Sequence, residues 1–147
     1  MTSHDDAHRH ARDAVATYFE ERGVSDGVRS KGLRGIIADW DAIAHSAAEY
    51  DLTLDDWMND LDLRDIIAGA MLVAPEHERH ELRHVLDRAD RAFRAATRES
   101  VQSPSASAEG LAHRHDPVTQ WWYFRYPANP GETMRADIAA AGVTLRS

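Results

Sequence analysis

A chain of 147 residues with 43% hydrophobic content has the size of one domain and enough apolar material for one ordinary core. A net charge of −8 without a basic stripe disfavours bare nucleic acid as a ligand, and the absence of cysteine removes disulfides, thiolate nucleophiles and cysteine zinc sites. No apolar run approaches the ~18 residues of a membrane span, and the opening MTSHDDAHRHARD holds acids and histidines where a secretory leader needs an apolar stretch, so a cytoplasmic protein without a membrane partner is expected.

Taken in chain order, Ser3 with Asp6 resembles a capping box, and Ala7, Ala11, Val15, Tyr18 and Phe19 form the apolar stripe of a first helix ending before Gly23. The stretch GVSDGVRSKG reads as a glycine-rich connection. Leu33, Ile36, Ile37, Trp40, Ile43, Ala44 and Ala47 then recur at spacings of three and four, predicting a second helix to about Tyr50. Thr53 and Asp56 repeat the cap pattern before a short helix carrying Leu54, Trp57, Met58 and Leu61. Asp62 and Asp65 offer a further cap before Ile66 to Val73, so this region is two short helices or one bent one. Pro75 stops that unit and suits the first turn of the next, which is predicted to run from Glu76 to Glu99 with Asp87 to Arg91 and Asp90 to Arg94 as acid-before-base pairs.

From Ser100 to His115 the composition turns to serine, alanine and glycine and reads as a flexible linker. DPVTQWWYFRYP follows, with Trp121, Trp122, Tyr123, Phe124 and Tyr126 clustered, and β-favouring side chains predict an extended segment in which alternate residues face opposite ways. Asn129, Pro130 and Glu132 signal the start of a last helix through Met134 and Ile138 to Gly142. The expected fold is a single all-α bundle of about five or six helices: residues 1–99 form the bundle, 100–115 the linker, and 116–147 an aromatic arm and C-terminal helix that pack back on the same domain. The alternative is an α+β domain in which the arm joins a minimal sheet.

Motifs for chemistry are few. His80, Glu81 and His84 in HELRH match the H-E-x-x-H signature of zinc proteases, whose two histidines, one helical turn apart, reach one ion while the glutamate polarises its water. A straight helix rises ~15 Å over ten residues, which puts Asp90 out of reach as a third ligand. At about 100° per residue, Leu82, Val85, Leu86, Ala89, Phe93 and Ala96 share one side of this helix and the two histidines face away from it. Their direction points to a solvated face and no metal cofactor. Near the N-terminus His4 and His8 share one face that suits a stray divalent ion, with His10 beside them, and His113 and His115 fall in the serine- and alanine-rich stretch; solvation is the expectation for all of these. His45, among Ile43, Ala44 and Ala47, reads as a hydrogen-bonded boundary histidine. Asp60, Asp62 and Asp65 evoke a calcium loop but break its pattern at Arg64 and Asp65.

Charge is distributed unevenly. Between Asp39 and Asp65 there are nine acids (Asp39, Asp41, Glu49, Asp51, Asp55, Asp56, Asp60, Asp62, Asp65) and one base, Arg64, whereas the rest of the chain is balanced. Helix caps account for some of these aspartates, but not for the near absence of bases. With Trp57 as an aromatic anchor, Asp51, Asp55, Asp56, Asp60 and Asp62 predict a face that binds a basic protein. One side of the aromatic arm, through Trp121 or Trp122, is expected to meet a partner or a second copy. The function that follows is a small protein-binding module, in concrete form an immunity- or antitoxin-type inhibitor that covers the basic site of a nuclease-like toxin. A metal-dependent hydrolase using HELRH and a structural homodimer joined through the aromatic arm are the alternatives.

Overall fold

The computed structural model describes residues 14–104 and 115–146. The Ser3/Asp6 cap, His4, His8, His10, His113 and the central part of the expected linker lie outside the described residues. Helix α1 occupies residues 14–22 and buries Val15 and Phe19. It stops at Gly23, whose φ of 73° is left-handed. The N–H of Gly23 returns to Glu20 O and that of Val24 to Phe19 O, a Schellman closure that satisfies the last carbonyls.

Helix α2 (Asp26–Ser46) begins earlier than its apolar stripe, because the Ser25 hydroxyl caps it by accepting the Val28 N–H at 3.3 Å. The glycine-rich stretch expected to be a connection is therefore largely helical, and the break is confined to Gly32, where φ is 70°. Beyond it Leu33, Ile36, Ile37, Trp40 and Ala44 are buried, and a 3-10 turn at Ala47–Glu49 ends the unit. Helix α3 (Leu54–Val73) is opened by the predicted Thr53/Asp56 capping box and runs unbroken. Asp62 and Asp65 thus lie inside one helix and cap nothing, since their carboxylates are engaged by other segments of the chain.

Pro75 precedes α4 (Glu76–Ala96), which buries Leu82, Leu86, Ala89 and Phe93. The predicted extension to Glu99 is corrected: Thr97 turns extended, and Thr97–Glu99 forms strand β1, antiparallel to β2 (Arg125–Pro127) in the register Thr97 with Pro127, Arg98 with Tyr126 and Glu99 with Arg125. The first residues of the expected linker are also packed, with Ser100 and Ser103 buried and the Ser100 hydroxyl donating to Thr144 O. The aromatic segment is not one extended run, because Trp121–Phe124 forms a 3-10 turn before β2 begins. Helix α5 (Glu132–Ala140) starts after Gly131 without the predicted side-chain cap and closes at Gly142, φ 71°, with Val143 N–H returning to Ile138 O.

Among the described residues the architecture is thus a bundle of five α-helices with a minimal two-stranded sheet. Helix α2 packs along both α3 and α4. Phe93 is the hub, with Trp40 at 4.6 Å, a stacked Trp57 at 5.6 Å and Trp121 at 6.1 Å between ring centroids. No helix among the described residues is long and apolar enough to cross a membrane.

Candidate partner-binding face

The acidic segment divides into carboxylates with a basic side chain beside them and carboxylates without one. Asp39 pairs with Lys31 at 2.7 Å, Asp41 lies 3.5 Å from the His45 ring, and Asp65 accepts Arg22 at 2.8 Å. Among the described residues the other six acids have no cation within ion-pair distance. Asp56 bonds only the Thr53 hydroxyl and N–H. Asp60 accepts the Tyr50 hydroxyl at 2.7 Å and Asp62 the Tyr123 hydroxyl at 2.6 Å. Asp51 is exposed beside Gly131, and Glu49 and Asp55 are exposed without a partner among the described residues. Hydroxyl and amide donors satisfy lone pairs but leave the negative charge uncompensated.

Arg64, the one base of the segment, does not relieve this. It is 7% exposed and turned inward, where Nε and Nη2 hold Asp90 of α4 at 3.0 and 2.9 Å in a two-pronged pair. Asp90 also accepts the Trp40 indole N–H at 2.9 Å. Neither predicted pair within α4 forms: Asp90 is taken by Arg64, Arg94 lies over the Trp121 ring at 3.9 Å, and Asp87 and Arg91 are not within ion-pair distance. Burial raises the carboxyl pKa of Asp60, and the neighbouring Asp56 charge adds to this while the Tyr50 hydrogen bond opposes it. Burial, followed by the hydrogen bonds that they donate to Asp60 and Asp62, holds the Tyr50 and Tyr123 hydroxyls far above the ordinary phenol range.

Trp57 is not the anchor of this face. It is 0% exposed, packed edge-on by Tyr50 and stacked on Phe93, and its indole N–H donates to Arg125 O at 3.1 Å. Its place on the Leu54–Leu61 stripe decides this, because α3 has to turn that stripe into the bundle. The exposed apolar residue among the acids is instead Leu52, 56% exposed between Asp51 and Asp55. Its signal in the sequence is an isolated apolar side chain just before the helix cap.

The aromatic arm is corrected in the same sense. A 3-10 turn sends successive side chains about 120° apart, so the rings enter separate sites of their own chain. Trp122 lies under the Arg64 guanidinium at 4.5 Å, Tyr123 reaches Asp62, and Trp122, Tyr123, Phe124 and Tyr126 are all buried. Trp121 alone keeps partial exposure. His115, expected in the linker, stacks flat on Tyr123 at 3.6 Å.

His80 and His84 stand exposed on α4 with ring centroids 5.9 Å apart, away from the buried Leu82 and Leu86. Glu81 faces Arg34 of α2 at 3.3 Å, and Asp90 is committed to Arg64 and Trp40. No group of three His, Asp or Glu side chains gathers around a common point among the described residues. His45 is exposed, its Nδ1 2.7 Å from Asp41 O. No protein-family model matches the chain, and no curated protein or solved structure matches it either.

Proposed function

We propose that the protein is a cytoplasmic protein-binding module, an immunity- or antitoxin-type inhibitor that presents the acidic side of α3 and the turn before it to a basic protein. The observation that carries this reading is the set of six acids from Glu49 to Asp62 with no cation beside them among the described residues, while Arg64 is withdrawn into the core. Uncompensated charges add into a field that steers a basic surface toward this side, and Leu52, exposed among them, supplies an apolar contact once the partner arrives. Nothing in the acidic side favours a reaction: the carboxylates are bonded to hydroxyl groups or free in solvent, and the HELRH histidines point away from the buried stripe of α4.

Charge reversal has to avoid acids that also hold the fold, which excludes Asp56, Asp60 and Asp62. Glu49 and Asp55 are exposed and bond no other described residue through their side chains, so the double variant Glu49→Lys/Asp55→Lys tests the surface. Partners captured from the native host and purified should be basic. Their association rate with the double variant should fall by about tenfold or more, and the wild-type rate should drop steeply with added salt. A partner that is not basic, or one whose association ignores both salt and the charge reversal, refutes the proposal.

A further inference from the structure

A second surface has the opposite charge. The end of α4, strand β1 and the Trp121–Phe124 turn enclose a groove of about 510 Å³, whose walls include Arg94, Arg125, Arg146, Glu99, Trp121 and Phe124. Three guanidinium groups thus meet one carboxylate, in a chain where acids outnumber bases by eight. The volume falls within the range of small-molecule pockets, and one apolar wall beside a few convergent charged groups is their usual composition.

Arg94 and Arg125 are held in place without being neutralised. Arg125 is half-buried, and its Nε donates to Thr97 Oγ1 at 2.8 Å while Nη2 donates to the carbonyls of Arg94 and Thr97 at 3.2 and 3.4 Å. All three acceptors are neutral. Burial lowers its pKa, an effect that Glu99 opposes and Arg94 reinforces. Arg94 is fixed over the Trp121 ring, and Arg146 touches Glu99 only at 3.8 Å. A partly desolvated guanidinium among like charges is costly unless an anion joins it. Its remaining nitrogen, Nη1, makes no hydrogen bond among the described residues, on a side chain whose orientation is already set by the other two.

We infer that this groove binds a small organic anion, with a carboxylate or phosphate group held by Arg94, Arg125 and Arg146 and an apolar body laid along Trp121 and Phe124. Planar guanidinium forks match both anions, and the aromatic wall selects an organic molecule over a bare inorganic ion.

Hexyl phosphate and hexanoate are suitable probes, with hexanol and inorganic phosphate as controls. Trp121 is the partly exposed member of the four tryptophans, so its emission reports on the groove, and calorimetry gives the affinity. At least one of the two organic anions should bind saturably below about 1 mM. Hexanol and inorganic phosphate should each bind at least about tenfold more weakly, that being the loss of a charged hydrogen bond or of an apolar contact. Arg94→Gln and Arg146→Gln alter exposed side chains and should keep the fold while weakening binding about tenfold or more, whereas Arg83→Gln on the outer side of α4 should leave it unchanged. Absence of saturable binding by both organic anions, equal binding of inorganic phosphate, or an equal loss in Arg83→Gln overturns the assignment.

Discussion

Replacing Asp90 by alanine is predicted to be among the most damaging single changes in this protein, although Asp90 lies on a helix rich in exposed charges. The carboxylate accepts three hydrogen bonds, from Trp40 Nε1 at 2.9 Å and from Arg64 Nε and Nη2 at 3.0 and 2.9 Å, and so joins α2, α3 and α4 at one point. Its removal leaves a guanidinium in the core with no counter-ion, because Arg64 is 7% exposed and its Nη1 is already buried without a partner. Breaking a buried pair by deleting one member costs about 3–5 kcal/mol. The Trp122 ring 4.5 Å from the Arg64 Cζ offsets at most ~2 kcal/mol of that, whereas the orphaned Trp40 N–H adds about 1–3 kcal/mol. A net loss of about 4 kcal/mol follows, a large share of a total stability on the order of 5–15 kcal/mol. The double variant Arg64→Met/Asp90→Asn removes both charges and keeps an oxygen for Trp40, so it should return to within about 1 kcal/mol of wild type. Urea unfolding at pH 7 and 25 °C, followed by far-UV circular dichroism, measures each. A loss below about 1 kcal/mol for Asp90→Ala would mean that Arg64 escapes to water and that the pair does not hold the three helices together.

Three further predictions concern the contacts around the acidic segment. Gly131→Ala should cost about 1–3 kcal/mol, because its backbone angles suit alanine but the added methyl would meet the Asp51 carboxylate and approach the Asp51 Cα to 3.1 Å; a thermal midpoint equal to wild type would show that this contact gives way. Tyr50, Tyr123 and Tyr126 have hydroxyl pKa values raised in the folded state, chiefly by burial. Their contribution is therefore complete below the unfolded phenol pKa of about 10 and is lost as pH rises beyond it. Stability measured from pH 9 to 11.5 should fall with a slope that Tyr123→Phe reduces, and a flat profile would contradict the burial of these hydroxyls. Asp60 also has a raised pKa, first from burial, so its ionisation opposes folding above the unfolded carboxyl value of about 4. Asp60→Asn retains an acceptor for Tyr50 and should be as stable as wild type or more so at pH 7, with the difference closing toward pH 3. A loss above ~1 kcal/mol at pH 7 would assign the anion a net stabilising role.

Features set by local spacing were legible in the sequence. The apolar stripe of α4 places Leu82, Leu86, Ala89 and Phe93 inside and turns His80 and His84 to solvent, and the Thr53/Asp56 box opens α3 where its pattern predicts. Pairings between distant segments were not. Strand β1 is three residues long, too short for alternation to register, and its partner begins 26 residues after its end. Glycine content concealed the first part of α2, because one side-chain cap at Ser25 and one left-handed residue at Gly32 suffice to keep the rest helical. Trp57 was placed on an apolar stripe by its spacing and on the surface by its acidic neighbours. The stripe decides, because a tryptophan buried against Phe93 is worth more than one among mobile charges.

The charge asymmetry also has a cause that composition does not display. Asp60, Asp62 and Asp65 are tertiary acceptors: they take hydrogen bonds from Tyr50, Tyr123 and Gln120, so two of the three fix the segment that follows residue 115 against α3. Asp137 returns the arrangement by accepting the Leu54 N–H at the start of α3 from helix α5. The tyrosine, glutamine and backbone donors are neutral, and such a bond to a carboxylate is strong without cancelling charge; Asp65 differs from Asp60 and Asp62 in also meeting a cation, Arg22. Docking a segment through neutral donors therefore concentrates negative potential on the helix that receives it, whereas arginine donors at the same positions would have erased it. The acidic side of α3 is thus partly a by-product of how the C-terminal segment is held. Glu49 and Asp55, exposed acids that neither this docking nor the Thr53 cap uses and that have Leu52 near them, are ones on which selection by a partner would act, and for that reason they carry the charge-reversal test.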